Sequence, residues 1–187
     1  MLALILSGLA CQSPGDRATE GSLTPDEQGV LHDLTEAEAT ELLGFQPLRP
    51  VDLPPGMAIQ ELRGQATPIE QSAPGQPSTW GEPYVAIYEI QPKDEAAMDG
   101  PIRGVQLHQA TVDPIPSSPG GIAEWESLTL GTQQVQKSVN QIGTTGNANV
   151  IYRWAVPSMN LHLLAIASLH DMRGVDAIEA MIAAMVQ

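Results

Sequence analysis

The chain is predicted to fold as an α+β domain: a curved antiparallel sheet of about six or seven strands, with a short N-terminal helix and an amphipathic C-terminal helix. Three observations predict it. Apolar and polar residues alternate with period 2 in several runs between Met57 and Ala167, as half-buried strands require. A doubly capped, helix-favouring stretch precedes that region. Apolar residues at helical spacing come after it. No segment repeats, which excludes solenoids and propellers.

The first helical signal is Thr24-Pro25-Asp26-Glu27, with Thr24 as N-cap, Pro25 at the first helical position and Glu27 closing a capping box. Gly29 weakens any helix that starts there. The second signal is stronger. Thr35 and Glu38 frame a capping box, EAEATELL favours helix throughout, and Gly44 with Phe45 supplies a left-handed stop, so a helix is expected over 36–43. Residues 45–55, FQPLRPVDLPP, hold four prolines in eleven residues. That excludes helix and central strand, and an extended segment on the surface or at a sheet edge is expected before a turn at Gly56. Strands are expected next at 57–62, 84–90, 105–108, 123–130, 133–139, 150–156 and 159–167. The last two are joined by a Pro157-Ser158 hairpin turn. Long Pro-, Gly-, Ser- and Gln-rich connections are expected at 64–82, 91–102, 111–121 and 140–149. Val175, Ile178, Ile182, Met185 and Val186 share one face of a closing helix over 172–186.

The N-terminal run MLALILSGLAC is apolar and ends on the single cysteine of the 187 residues. It is too short to span a bilayer, which needs about 20 apolar residues. A short apolar run closing on small residues reads as a secretory signal. A lone Cys at its end marks cleavage before Cys11 and acylation of that thiol, as in bacterial lipoproteins. Residues 1–11 are therefore expected to be the signal ending at the lipidated Cys11, residues 12–33 a flexible tether and residues 34–187 one folded domain. The tether's opening, QSPGDRATEGSL, has the polar, small composition that resists burial.

Twenty-two Asp and Glu oppose eight Lys and Arg, a formal charge of −14. Such a surface repels phosphate backbones, so nucleic acid is excluded as a partner. It also lacks the basic clusters that draw proteins to anionic lipid, so membrane association is expected through acyl chains, two or more of which anchor stably. With one cysteine, no disulfide forms within a chain. The fold rests on its apolar core.

Residues 44–57, GFQPLRPVDLPPGM, resemble a bacterial extracytoplasmic domain of unknown function. In that family a helix is followed by Phe, a Pro-containing stretch and Leu-Pro-x-Gly leading into the first strand. The matching positions are Phe45, Pro47, Pro50, Leu53, Pro54 and Gly56, with Met57 where the family commonly has Tyr. The domain occurs in envelope lipoproteins and on the outer side of anti-sigma factors, and is similar to the curved-sheet folds of lipoprotein carriers and sigma-regulatory periplasmic proteins. The resemblance implies an envelope role with no catalytic residues to carry over, a hydrophobic ligand or envelope protein as partner, and, as an alternative, a sensor domain in envelope-stress or sigma-factor regulation.

Catalytic and metal signatures are absent from the sequence. There is no Gly-x-Ser-x-Gly, no Ser-x-x-Lys and no glycine-rich phosphate cradle, and no cofactor or metal is predicted. His162, His170 and Asp171 are the one constellation with chemical potential; a His/Asp-dependent hydrolase requires all three in one cleft. Ser168 and Asp171 read instead as a capping signal for the last helix, and His108 as a surface position on a strand. Trp80, within the expected 64–82 loop, is the candidate contact residue for a partner.

Overall fold

A computed structural model describes residues 23–70, 79–113, 124–141 and 148–185. Its centre is one open antiparallel sheet of eight strands: β1 (Val30–Leu31), β2 (Met57–Glu70), β3 (Thr79–Pro92), β4 (Ile102–Ala110), β5 (Glu126–Leu130), β6 (Gln133–Gln141), β7 (Ala148–Val156) and β8 (Leu161–Leu169). The helices are α1 (Glu36–Leu43), α2 (Glu95–Met98) and α3 (Val175–Ala184). In space the strands run β1-β2-β3-β4-β8-β7-β6-β5, so two meanders meet where β4 pairs with β8. The α+β class and the antiparallel sheet are as expected, with eight strands rather than six or seven. The extra one is β1, a two-residue strand too short to show a period.

Helix α1 occupies the expected residues because every signal for it is local. The Thr35 hydroxyl accepts from the Glu38 backbone N–H at 3.2 Å, and the Glu38 carboxylate accepts from Thr35 N–H at 2.7 Å. Gly44 closes the helix at φ +70°.

The segment before it departs from expectation. No helix starts at Thr24. The Asp26 carboxylate accepts from the backbone of Gln28 (2.8 Å) and Val30 (2.9 Å), Gly29 turns at φ +78°, and β1 pairs with Gly64 and Gln65. A side chain that satisfies the backbone two and four residues on competes directly with helix formation. Leu31 and Leu34 then enter the core. The folded domain thus begins by Asp26, and the expected tether shortens correspondingly; its part through residue 22, with the signal and Cys11, lies outside the described residues.

Strands β2 and β3 overturn the expected 64–82 loop. Fourteen residues each, they pair from Met57↔Pro92 to Glu70↔Thr79, with register shifts after Ile59, Gln65, Ala66 and Pro68. Prolines are tolerated because β1 pairs only as far as Gln65, so that among the described residues no strand pairs with the outer edge of β2 at Pro68. Pro83 likewise lies beyond the β3–β4 pairing, which starts at Ala86. Trp80 therefore stands on a strand, half-buried over Gly29, where an added Cβ would lie 2.4 Å from the indole Cε3. The last hairpin turns through a 3-10 turn, Pro157–Met159, with Asn160 left-handed at φ 51°. The closing helix is preceded by a second 3-10 turn, Met172–Gly174, capped by Asp171. Ser168 plays no part in that cap; its hydroxyl meets Asn149 on the neighbouring strand.

Helices α1 and α3 cover the same face of the sheet. Ala39 of α1 and Val175, Ile178, Met181 and Ile182 of α3 join Leu62, Tyr88, Ile90, Leu107, Tyr152, Leu163 and Ala167 in one cluster. The proline-rich segment lies across this face rather than at an edge. Pro47, Pro50 and Pro54 are buried, and the fully buried Gln109 of β4 holds Leu48 by two 2.7 Å hydrogen bonds, one donated and one accepted. Glu179 of α3 accepts from Lys137 Nζ (2.7 Å) on β6 and the Tyr152 hydroxyl (3.1 Å) on β7, fastening the helix.

Candidate binding site

The opposite face carries no helix among the described residues and is organised by polar side chains. Alternation along β7 sends Val150, Tyr152 and Trp154 into the core and Arg153 to this face. Across the β6–β7 ladder Arg153 stands opposite Gln136, and its Nε donates to Gln136 Oε1 at 2.6 Å. The guanidinium lies 4.3 Å from the centroid of Trp125, a stacking that holds the fork flat. Around Arg153 opens a groove of about 460 Å³, with Gln134, Gln136, Ser127, Asp113 and His162 among its walls. Gln134 is itself oriented by donating to Thr129 Oγ1 at 2.9 Å.

A second polar line crosses the other half of the face. Glu89 is 6% exposed, yet Arg63 (3.0 Å) and Gln106 (2.9 Å) both donate to it. Arg63 also donates to Glu61 at 2.7 Å. Burial alone pushes the Glu61 carboxyl up, but Arg63, His32 and the Asp33 N–H outweigh it and hold it below its usual range. His32 bridges Glu61 (2.8 Å) and Asp26 (3.0 Å), and both contacts raise its pKa. The line thus ties the N-terminal turn to β2, β3 and β4. A shallower cleft of about 400 Å³ beside it is lined by Glu89, Gln106, Arg103 and Ser168.

His108, expected on the surface, is pushed down to a pKa of about 4 by burial. The unfolded chain, with an ordinary His near 6.5, binds a proton that the folded state refuses. The neutral ring therefore contributes its full stability above about pH 6.5, and loses it as pH falls toward 4. At about 1.4 kcal/mol per pH unit the wild type loses roughly 3 kcal/mol across this window. Urea denaturation at pH 7 and about pH 4.5 is expected to show a steeper loss for wild type than for His108→Gln, the difference isolating this ring from the carboxylates that titrate alongside.

The remaining sequence candidates are not brought together. His162 lies at the start of β8 and His170 just past its end, about 26 Å apart at the rise of a strand. His170 accepts from Arg103 Nε at 3.1 Å, while Asp171 is held by Arg173 at 2.7 Å. The convergence that a His/Asp-dependent hydrolase requires of His162, His170 and Asp171 is not found: most of β8 lies between the two imidazoles. Trp80 packs back over Gly29, next to β1, rather than projecting from a loop. Among the described residues no group of three or more His, Cys, Asp or Glu is placed to hold a metal ion, and no helix is long and apolar enough to cross a membrane. Arg153, which lines the groove, and Trp125, which stacks on it, escaped the sequence reading; the only signal was Arg153 out of phase with Tyr152 and Trp154.

On the covered face a cleft of about 440 Å³ opens beside the start of α1, lined by Leu34, Thr35, Glu36, Arg49, Leu62 and Tyr88. Ile178, Met181 and Ile182 are fully buried against the sheet. Two buried polar atoms there, the Tyr88 hydroxyl and Trp154 Nε1, have no hydrogen-bond partner. Burial pushes Tyr88 up to about 12. Comparison with models of known protein families, with curated proteins and with solved structures finds no match for this chain.

Proposed function

We propose that the chain is a lipid-anchored extracytoplasmic binding module with no catalytic role, held at a bacterial membrane by an acylated Cys11 and recognising its ligand on the helix-free face of the sheet. The observation that carries the binding reading is the asymmetry of the two faces. One is covered by α1, α3 and the proline-rich segment, with a cleft of about 440 Å³ beside the start of α1, and the other is left open around a pre-set Arg153–Trp125 pair with a groove of about 460 Å³. The full burial of Ile178, Met181 and Ile182 weighs against a carrier that encloses an apolar ligand between α3 and the sheet. Polar walls favour a polar ligand.

The anchor is supported by the apolar run that closes on the single cysteine and by the polar stretch after it. The charge of −14 disfavours peripheral attraction to anionic lipid, so acylation is the route to the membrane. Expression of the full chain in a bacterial host fed an alkyne fatty acid tests this. Wild type is expected to carry the label and pellet with membranes, and Cys11→Ser to lose both properties. A mature chain that retains residues 1–10 and an unmodified Cys11 contradicts the proposal.

A further inference from the structure

Seven of the eight Lys and Arg residues fall among those described. Arg49, Arg63, Lys137 and Arg173 each meet a carboxylate at 2.6–3.0 Å. Arg153 does not. Its Nε is taken by a neutral amide and its flat face by an indole, neither of which cancels its charge. Its terminal Nη nitrogens donate to no described side chain or backbone oxygen. The result is a half-buried, laterally pinned guanidinium in the wall of a groove, with part of its donor fork unused.

We propose that this groove binds a small monocarboxylate, with Arg153 as the fork that receives it; the inference rests on the helix-free face being the recognition face. Three features select the ligand class. A guanidinium edge matches a planar carboxylate donor for acceptor, and the pinning by Gln136 and Trp125 removes the entropy of ordering it. Among the described residues Arg153 is the one Lys or Arg in the groove wall and Asp113 lines it too, so the groove carries no excess of positive charge, and with a chain of net charge −14 this disfavours a dianion such as phosphate more than a monoanion. The volume of about 460 Å³ suits a small organic acid or the last residues of a peptide, with Gln134, Ser127, His162 and the Asp113 carboxylate also in the wall, where Asp113 must lie away from the ligand's own carboxylate. A free acid and a peptide C-terminus share this chemistry.

Calorimetric titration of the full chain separates the possibilities, using benzoate, acetate, N-acetyl-alanyl-alanine, neutral benzamide and inorganic phosphate at matched ionic strength. At least one carboxylate is expected to bind, with benzamide and phosphate weaker; the preferred one identifies the source as free acid or peptide. Arg153→Gln is expected to weaken binding at least about tenfold. Arg153→Lys keeps the charge without the fork and is expected to fall by a similar factor. Circular dichroism melts of both variants, expected close to wild type, tie the loss to the site. Carboxylate binding that survives Arg153→Gln unchanged overturns this site and leaves the binding-module reading standing. Phosphate binding as tightly as the best carboxylate, or no carboxylate binding at all, overturns the ligand class. None of these readouts depends on the lipid, so failure of the anchor registers separately in the Cys11→Ser experiment.

Discussion

Gln109→Leu is expected to destabilise the domain by about 3 kcal/mol, read as a lowered urea midpoint with an unchanged slope. Gln109 is fully buried at the centre of the sheet, and its amide both donates to the Leu48 carbonyl and accepts from the Leu48 N–H. Leucine fills most of the same volume, so packing changes little. The substitution leaves an N–H and a C=O of a half-buried segment without partners, each costing about 1–2 kcal/mol. The segment is rich in proline and supplies few amide donors of its own, so it has no ladder to fall back on. Gln109→Asn retains the chemistry but shortens the reach by a methylene. It is expected to recover little. A loss below about 1 kcal/mol for Gln109→Leu would mean the segment is held by its apolar contacts alone.

Glu179→Ala is expected to cost about 2–4 kcal/mol. Glu179 accepts from Lys137 and from Tyr152, and the Lys137 and Glu179 side chains are only 16% and 22% exposed. Removing the carboxylate strands a poorly solvated ammonium on the sheet beneath α3, with only the Tyr152 ring 5.8 Å away to compensate. Replacing both partners removes the charge that causes the penalty. The double variant Lys137→Met/Glu179→Leu is therefore expected to recover most of the loss, whereas additive single effects would show that the pair does not interact.

These two positions mark where the sequence was legible and where it was not. Helix α1 was readable to the residue, because Thr35, Glu38 and Gly44 act on backbone within four positions of themselves. The strand core of β3, β6, β7 and β8 was readable from alternation. The length of β2 and β3 was not, since Gly64 and Pro68 read as breakers unless one knows that no described strand pairs with the outer edge of β2 at Pro68. Asp26 and Gly29 spelled a turn that the neighbouring Thr24-Pro25 obscured. The site was less legible than the fold. Gln109 and Leu48 are 61 residues apart, and Arg153 meets Gln136 and Trp125 only through a register that no single strand encodes. His162 and His170 misled for the opposite reason: nearness in sequence along an extended strand means distance in space.

Recognition belongs to the helix-free face and not to the space between α3 and the sheet, where Ile178, Met181 and Ile182 are fully buried. Backbone amide shifts of the isotope-labelled chain, followed during titration with the carboxylate that binds, test it most directly. Movements are expected only at Ser127, Gln134, Gln136, Arg153 and His162 and their neighbours, with α1 and α3 unmoved. Shifts centred on Ile178, Met181 and Ile182 would contradict it, because the ligand would then have entered between helix and sheet.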